Sequence, residues 1–502
     1  MDGDNVRLIL GFKVKQYRLK QGLSLKQLAA RTGLSISFLS EIEKGKKYPK
    51  PEKIVLLARA LGISFDELVS MKMGEELDSL NAVLNSSLLK EFPFHFFGIA
   101  PGDFLDLITS SPQKAGAFIR TILEIGKAYD MHVEHFYFAT LRSYQKLHNN
   151  YFEEIEVAAE RFVREQKWDM NPPIKKERFQ KILEADYGYV IDEQTLNQYP
   201  ELQKFRSVWV DSKPPRLLVN EKLLASQKAF ILGREIGYNY LGLKERAITS
   251  SWLKVRSFEQ VLDNFKASYF AGALMINRDL LYEDISKFFQ NQSWDGEAFL
   301  AMMRRYDATP EMFLYRLSQI IPRFFGLKEI FYLRFNNAAG SQKYRLTKEL
   351  NMSRVNVPYG IGLNEHYCRR WLSISLLNRL AEQQKQRNAK FTIIAAQRSK
   401  FIESDAEFFT ITLARPLALI EGTNSSMSIG FLMNDDFKQR VRFWNDPKVP
   451  TVRVNETCER CGLNRSECSE RVAPPEIYQQ VQTQKVREKV LEEMLKNFDA
   501  IP

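Results

Sequence analysis

The segment Leu23-Ser-Leu-Lys-Gln-Leu-Ala-Ala-Arg-Thr-Gly-Leu-Ser-Ile-Ser-Phe-Leu-Ser-Glu-Ile-Glu-Lys-Gly45 constrains this chain more than any other stretch. Ser24 is placed to cap a helix, because its hydroxyl can accept from an amide that the first turn leaves unpaired. Leu25, Leu28 and Ala29 then fall on one helical face, and Ala29 is small where a second helix must cross closely. Gly33 follows at the point of sharpest turning, and without a Cβ it takes positive φ at little cost. Ser35 caps the next helix, which turns Leu39 and Ile42 inward. The spacing predicts two short helices crossing at a fixed angle and ending at Gly45, just before Lys46 and Lys47.

The second of these helices leaves Ile36, Ser37, Ser40, Glu41 and Lys44 outside, as a recognition helix does when it offers side chains to base edges in the major groove. A helix from Val6 to Gln21 precedes the motif. Another from Glu52 to Leu61 follows the Pro49-Lys-Pro51 turn, and Ser64 and Phe65 open a short last one. The five-helix pattern over residues 7 to 70 resembles the XRE family of phage Cro and repressor domains. The resemblance implies that Arg18 pairs with Glu43, and that double-stranded DNA is the partner. The expected DNA-binding set is Arg18, Ser24, Lys26, Gln27, Ser35, Ile36, Ser37, Ser40, Glu41, Lys44, Lys46 and Lys47. Within it Ile36 faces a thymine methyl, Ser37 and Ser40 donate to bases or phosphates, and Glu41 accepts from cytosine. Arg18, Lys26, Lys44, Lys46 and Lys47 contact or position phosphates. The competing reading is a helical hairpin that merely packs in a bundle.

Charge follows the motif. Residues 1 to 73 hold 14 Lys and Arg against 7 Asp and Glu, so +7 of the total +11 lies there. A local excess is what phosphate neutralisation and counterion release require. The remaining 429 residues carry only +4, which argues against a second extended nucleic-acid surface.

At 502 residues the chain is expected to form several domains. No run approaches 18 apolar residues and the start Met-Asp-Gly-Asp is unlike a signal peptide, so a cytoplasmic protein without membrane contact is expected. Four cysteines cannot make a disulfide scaffold.

Four domains are expected: 1–73, the DNA-binding unit; 74–170, a helical connector; 171–327; and 328–502, an α+β sensor. The connector reads as amphipathic helices over 75–92 and 103–168, broken at Phe92-Pro-Phe94 and Pro101-Gly102, with Ala115 to Gly126 and Tyr151 to Gln166 as its clearest segments. His132 and His135 are one helical turn apart, and packing or surface roles outweigh metal binding there. From Asn171-Pro-Pro173 the order is a helix over 175–186, short strands Tyr189–Ile191, Ser207–Val210 and Arg216–Val219, and a helix over 221–241. This order resembles the ImmA/IrrE family of zinc-peptidase-like domains, whose last helix carries HExxH. Here the matching run is Arg234-Glu-Ile-Gly-Tyr238, and the acidic position before the Ala-rich helix is Asn264. The resemblance therefore implies a degenerate zincin-like domain. With Arg234, Tyr238 and Asn264 at the ligand positions, no zinc and no peptidase chemistry are expected.

Helices Leu280–Asn291, Trp294–Tyr306 and Pro310–Gly326 complete that region. Strand-like runs Ile330–Phe335, Phe391–Ala395, Phe408–Ala414 and Ser428–Leu432 then predict one central sheet, and Pro475 to about Phe498 a packing or dimerisation helix. The fold class is thus mainly α with an α+β C-terminal part.

Cys458-Glu-Arg-Cys461-Gly-Leu-Asn-Arg-Ser-Glu-Cys468 is the second informative motif, since a CxxC turn aims two thiolates at one centre and a third can close over it. Cys368 is the candidate fourth ligand, with His366 a weaker one. Zinc and an iron–sulfur cluster both suit such a set. Reduced thiols, or a redox pair favoured by Arg460, Arg465 and Arg471, are the alternative. The whole order resembles the bacterial short-chain fatty acyl regulators of the ScfR, RamB and PrpR type. It implies a transcriptional regulator of carbon or short-chain acyl metabolism; a homodimer is expected separately, because one recognition helix covers only about four or five base pairs. It also implies an acyl-CoA or other small effector, with Cys458, Cys461 and Cys468 holding an iron–sulfur cluster in some members. A phage-immunity or antitoxin-type repressor working with a protein partner is the rival reading.

Overall fold

A computed structural model of the chain describes residues 3–70, 133–249, 255–358, 365–387, 391–402 and 404–499. The segment 75–92, the part of 103–168 before residue 133 and His132 lie outside these residues. The chain divides into two compact units, 1–144 and 145–502.

The first unit opens with five helices. These are α1 (Gly3–Lys20), α2 (Leu25–Thr32), α3 (Ile36–Glu43), α4 (Pro51–Ala60) and α5 (Phe65–Val69). Each short helix starts on the cap its sequence supplies. The Ser24, Ser35 and Ser64 hydroxyls accept from the amides of Gln27, Phe38 and Glu67, and Pro51 opens α4 with φ already preset. Gly33 ends α2 in the left-handed conformation at φ 70°, its amide donating to the Ala29 carbonyl. Leu10, Val14, Leu28, Leu39, Ile42, Ile54, Leu57 and Leu68 form the core. Full burial of each such side chain contributes roughly 1.5–3 kcal/mol, so the core offsets the ordering entropy of these short helices. At Gly11 the first helix meets the third backbone to backbone, where a Cβ would stand 2.1 Å from the Ile42 carbonyl oxygen. Lys13 Nζ donates to the carbonyls of Glu67 at 2.7 Å and Ser70 at 2.6 Å, pinning α5.

Helix α6 (Val133–Leu147) reaches the boundary between the units. The second unit continues with α7 (Glu153–Glu165) and α8 (Lys176–Ala185). Strands β1 (Val190–Asp192), β2 (Ser207–Val210) and β3 (Arg216–Val219) form a small sheet of order β1-β3-β2, with β1 parallel and β2 antiparallel to β3. Helices α9 (Ala225–Tyr240), α10 (Phe258–Met275), α11 (Arg278–Phe289), α12 (Gly296–Arg305) and α13 (Pro310–Phe324) follow. The larger sheet contains β4 (Ile330–Ala338), β5 (Arg345–Asn351), β6 (Ile393–Phe401), β7 (Glu407–Pro416), β8 (Thr423–Leu432) and β9 (Thr451–Val454). Its order is β5-β4-β8-β7-β6-β9, and only the β6/β9 pair is parallel. Helix α14 (Leu372–Arg387) covers one face, where Ile374 and Leu377, with Trp371 just ahead of the helix, join Phe331, Leu333, Phe335 and Phe408. Helix α13 covers the other, with Tyr315 edge-on to Tyr332 at 5.4 Å. Helices α15 (Asp435–Arg440) and α16 (Glu476–Asp499) complete the chain.

The expected helices and strands of residues 171–335 appear within a few residues of their predicted ends. The unit itself is larger than the predicted domains, because packing crosses both 170/171 and 327/328. Glu156 on α7 and Arg316 on α13 form a buried bidentate pair at 2.5 and 2.9 Å. Tyr269 of α10 donates to the same carboxylate at 2.8 Å. Strands β5 and β9 and helix α14 carry no expectation from the sequence. β5 is a charged edge strand, Arg-Leu-Thr-Lys-Glu-Leu-Asn, whose alternation is hidden by solvent-facing residues.

Candidate nucleic-acid interface and the late cysteines

The outer side of α3 carries the expected readers. Ser35, Ile36 and Ser37 are exposed, Ser40 and Glu41 are half-buried, and Lys26, Lys44, Lys46 and Lys47 are exposed. Ile36 keeps 47% of its surface in solvent, which for an isoleucine beside a basic patch leaves an apolar contact free for a base methyl. Several of these groups also have local duties. Ser24 and Gln27 close a capping box, the Ser24 amide donating to Gln27 Oε1 at 2.8 Å, which leaves the Gln27 amide hydrogens for a partner. Ser35 and Ser37 hydroxyls lie 3.2 Å apart. Glu41 Oε2 is paired with Lys47 Nζ at 2.7 Å in an exposed ion pair, an interaction weak enough to be exchanged for one with DNA.

Arg18 does not reach this surface; of its two expected roles, phosphate contact and the pairing with Glu43, it takes the second. It is 7% exposed, and its guanidinium donates to Glu43 Oε1 at 2.5 Å, Glu43 Oε2 at 2.8 Å and the Leu23 carbonyl at 2.7 Å. Its geometry makes it a positioning residue that ties α1 to the end of α3 and to the start of the motif. The sequence reading missed Phe38 and Lys53. Lys53 Nζ sits 4.3 Å above the Phe38 ring and Lys47 Nζ 5.8 Å from it, so the aromatic ring gathers two cations at the edge of the recognition helix.

Arg234, Glu235, Tyr238 and Asn264 are neighbours in space. Tyr238 of α9 donates to Asn264 Oδ1 of α10 at 3.2 Å. Glu235, fully buried, accepts from Arg246 Nη1 at 2.7 Å and lies 3.4 Å from Arg234 Nη2. Arg246 is stacked 4.7 Å from both the Trp209 and Tyr238 rings. Two guanidiniums thus surround the one acidic side chain, a neighbourhood that repels a dication.

All four cysteines are free and buried. Cys461 and Cys468 pack with Leu463, while Cys368 belongs to the core beneath the sheet. The Cys458 amide donates to the His366 carbonyl at 2.8 Å and the Cys368 amide to the Glu456 carbonyl at 3.1 Å, so two loops hold the thiols together. Burial pushes the Cys368 thiol up to about 11, with Cys458 and Cys461 adding to the rise. Burial likewise raises Cys468. Two of the arginines expected to favour thiolates, Arg460 and Arg471, are engaged with other groups. Arg460 grips Glu365 at 2.6 and 2.7 Å, and Arg471 donates to the carbonyls of Cys461 and Ala473. His366 turns its Nδ1 to Glu459 Oε1 at 2.7 Å. Among the described residues no three His, Cys, Asp or Glu side chains are set at metal-binding geometry. Gly462 lies under Tyr478 of α16, where a Cβ would come within 2.6 Å of the ring.

Residues 14–68 match the helix-turn-helix family model, which supports DNA binding by this part of the chain. No curated protein matches the chain. Among solved structures it is similar to a Mycobacterium tuberculosis transcriptional regulator, with 15% identity and a TM-score of 0.44 over 67% of this chain and 93% of that one. No helix among the described residues is long and apolar enough to cross a membrane.

Proposed function

We propose that this protein is a sequence-specific DNA-binding transcriptional regulator acting in the cytoplasm, with residues 145–502 serving as scaffold and sensor instead of as an enzyme. The observation that carries the reading is the solvent-facing side of α3, where Ile36, Ser37 and the basic residues Lys44, Lys46 and Lys47 surround a helix whose inner side is locked to the core. A homodimer fits best, because one recognition helix reads only about four or five base pairs and paired half-sites multiply the discrimination. Helix α16 supplies a surface for it, with Val481, Val486, Val490, Leu491, Met494 and Leu495 all exposed.

The effector we favour is a short-chain acyl-CoA or another small metabolite, on the resemblance of the whole domain order to short-chain fatty acyl regulators. Cys368, Cys458, Cys461 and Cys468 are the residues that would hold zinc or an iron–sulfur cluster, a reading supported by the thiolate chemistry of the set and by its four buried thiols lying on two hydrogen-bonded loops. Bound there, zinc would supply a structural crosslink and a cluster a redox-responsive centre. Arg234, Tyr238 and Asn264 do not fit a zinc site, and the peptidase-like region is read as a scaffold.

The test is operator selection from random DNA followed by gel shift with Ser37→Ala combined with Glu41→Ala. Preference for the selected operator should vanish while weak binding to random DNA persists, since phosphate contacts carry the latter. Undiminished preference in the double variant refutes the assignment.

A further inference from the structure

Arg379 and Gln383 stand one helical turn apart on α14 and so share a side of that helix. With the first turn of α12 and the residues leading into β6 they line one cleft of about 370 Å³, room enough for a small organic molecule. Glu297 and Leu300 come from α12, and Phe391 and Ile393 from the β6 side. Gly296 explains why α12 begins so close to the sheet, since a Cβ there would stand 3.1 Å from Ile394 Cγ2. Without that side chain the helix starts against β6 and keeps Glu297 at the cleft.

The cleft carries both signs of charge without letting them meet. Arg379 and Glu297 are both exposed, and among the described residues they form no ion pair with each other. Among the same residues the Arg379 guanidinium makes no hydrogen bond or ion pair at all. Glu297 Oε2 lies 3.4 Å from Arg304 Nη2, with 80% and 61% of the two side chains in solvent, a contact weak enough for a ligand to replace. Gln383 Oε1 is buried and accepts from no donor, which costs free energy until an N–H reaches it. Leu300 and Ile393, both buried, give the cleft an apolar floor, with the half-buried Phe391 beside them.

We propose that this cleft binds a free α-amino acid with a large apolar side chain. Its carboxylate lies on Arg379, its ammonium between Glu297 and Gln383 Oε1, and its side chain against Leu300, Phe391 and Ile393. A guanidinium offers a carboxylate two parallel donors. An ammonium has three donors and no acceptor, so a carboxylate and an amide oxygen are the partners it requires. A purely anionic ligand would face Glu297 and leave Gln383 Oε1 unfilled, and a purely cationic one would leave Arg379 without a counter-charge. Capture of an amino acid here requires neither the cysteine group, nor an acyl-CoA, nor DNA binding.

Calorimetric titration of the full chain with L-leucine and L-phenylalanine tests it. Binding of either is expected, and glycine, which lacks the apolar part, should bind more weakly. N-acetyl-L-leucine, without the ammonium, and L-leucinamide, without the carboxylate, should each lose about tenfold or more against leucine, a comparison that needs no variant to fold. Arg379→Met and Glu297→Gln, both at exposed positions, should weaken leucine by a similar factor, while Lys385→Met, exposed on α14 outside the cleft, should not. Glu297→Gln should leave N-acetyl-L-leucine unaffected. Binding of neither amino acid at millimolar concentration, N-acetyl-L-leucine binding as tightly as leucine, or wild-type affinity in both Arg379→Met and Glu297→Gln overturns the site.

Discussion

Arg18 and Glu43 form a buried bidentate ion pair, Nε to Oε1 at 2.5 Å and Nη2 to Oε2 at 2.8 Å, that joins the first helix of the DNA-binding unit to the last residue of its recognition helix. Glu43→Ala strands the Arg18 charge in the core and should cost about 3–5 kcal/mol. Adding Arg18→Met should recover part of the loss, because the uncompensated charge is then gone. Hydrogen exchange across residues 7–70 of the full chain reads the stability, and gel shift the consequence for DNA. Native protection in Glu43→Ala would contradict the role given to the pair.

Lys348 offers a pH signature. Its folded-state pKa lies near 8 against an ordinary 10.5, chiefly through burial, with Arg334 and Arg206 adding to the effect and Glu311 opposing it. The folded chain therefore binds fewer protons than the unfolded one between these values, and stability rises with pH across that window. Below pH 8 the whole penalty applies, about 2 kcal/mol after allowance for partial exposure. Lys348→Met should accordingly raise the denaturant midpoint near neutral pH, and the gain should fade above the ordinary lysine pKa. A variant no more stable than wild type at neutral pH would argue against this.

Metal content tests the cysteine group directly. Protein purified without oxygen should carry iron with sulfide, or zinc, in an amount that falls in Cys458→Ser. Metal-free wild type from metal-replete cells would remove the cofactor from the reading.

Removal of residues 480–499 tests the dimer. Light scattering should show the full chain near twice its 58.5 kDa mass and the shortened chain at a single mass. Operator affinity should fall with it, because two half-sites then bind separately. A monomeric full chain at micromolar concentration would overturn the role given to α16.

Much of this was legible in advance where the signal is local. Ser24, Gly33 and Ser35 announce the ends of α2 and α3 by chemistry that acts within four residues, and the structure uses each as expected. The strand run Ile330–Phe335 announces β4. Arg334 inside that apolar run was the available sign of an inward-facing charge. Its partners were illegible, because Glu311, Arg206, Lys348 and Arg415 come from four different elements and meet only once the sheet is assembled. Arg18 carried two expectations, a phosphate contact and the pairing with Glu43, and the structure shows the pairing. Basic residues near a DNA-binding motif read alike in sequence, and only packing distinguishes one that faces phosphate from one that braces a helix end.

At Gly11 the seat for the recognition helix is made of main chain, since a single methyl there would run into the Ile42 carbonyl. The tilt of α3 is consequently set by atoms common to every amino acid, together with the leucines beneath it. Ile36, Ser37 and Lys44 take no part in that seat. Preference for one operator over another can therefore drift through substitutions on the outward side while the mounting stays the same, as type can be reset without recasting the press.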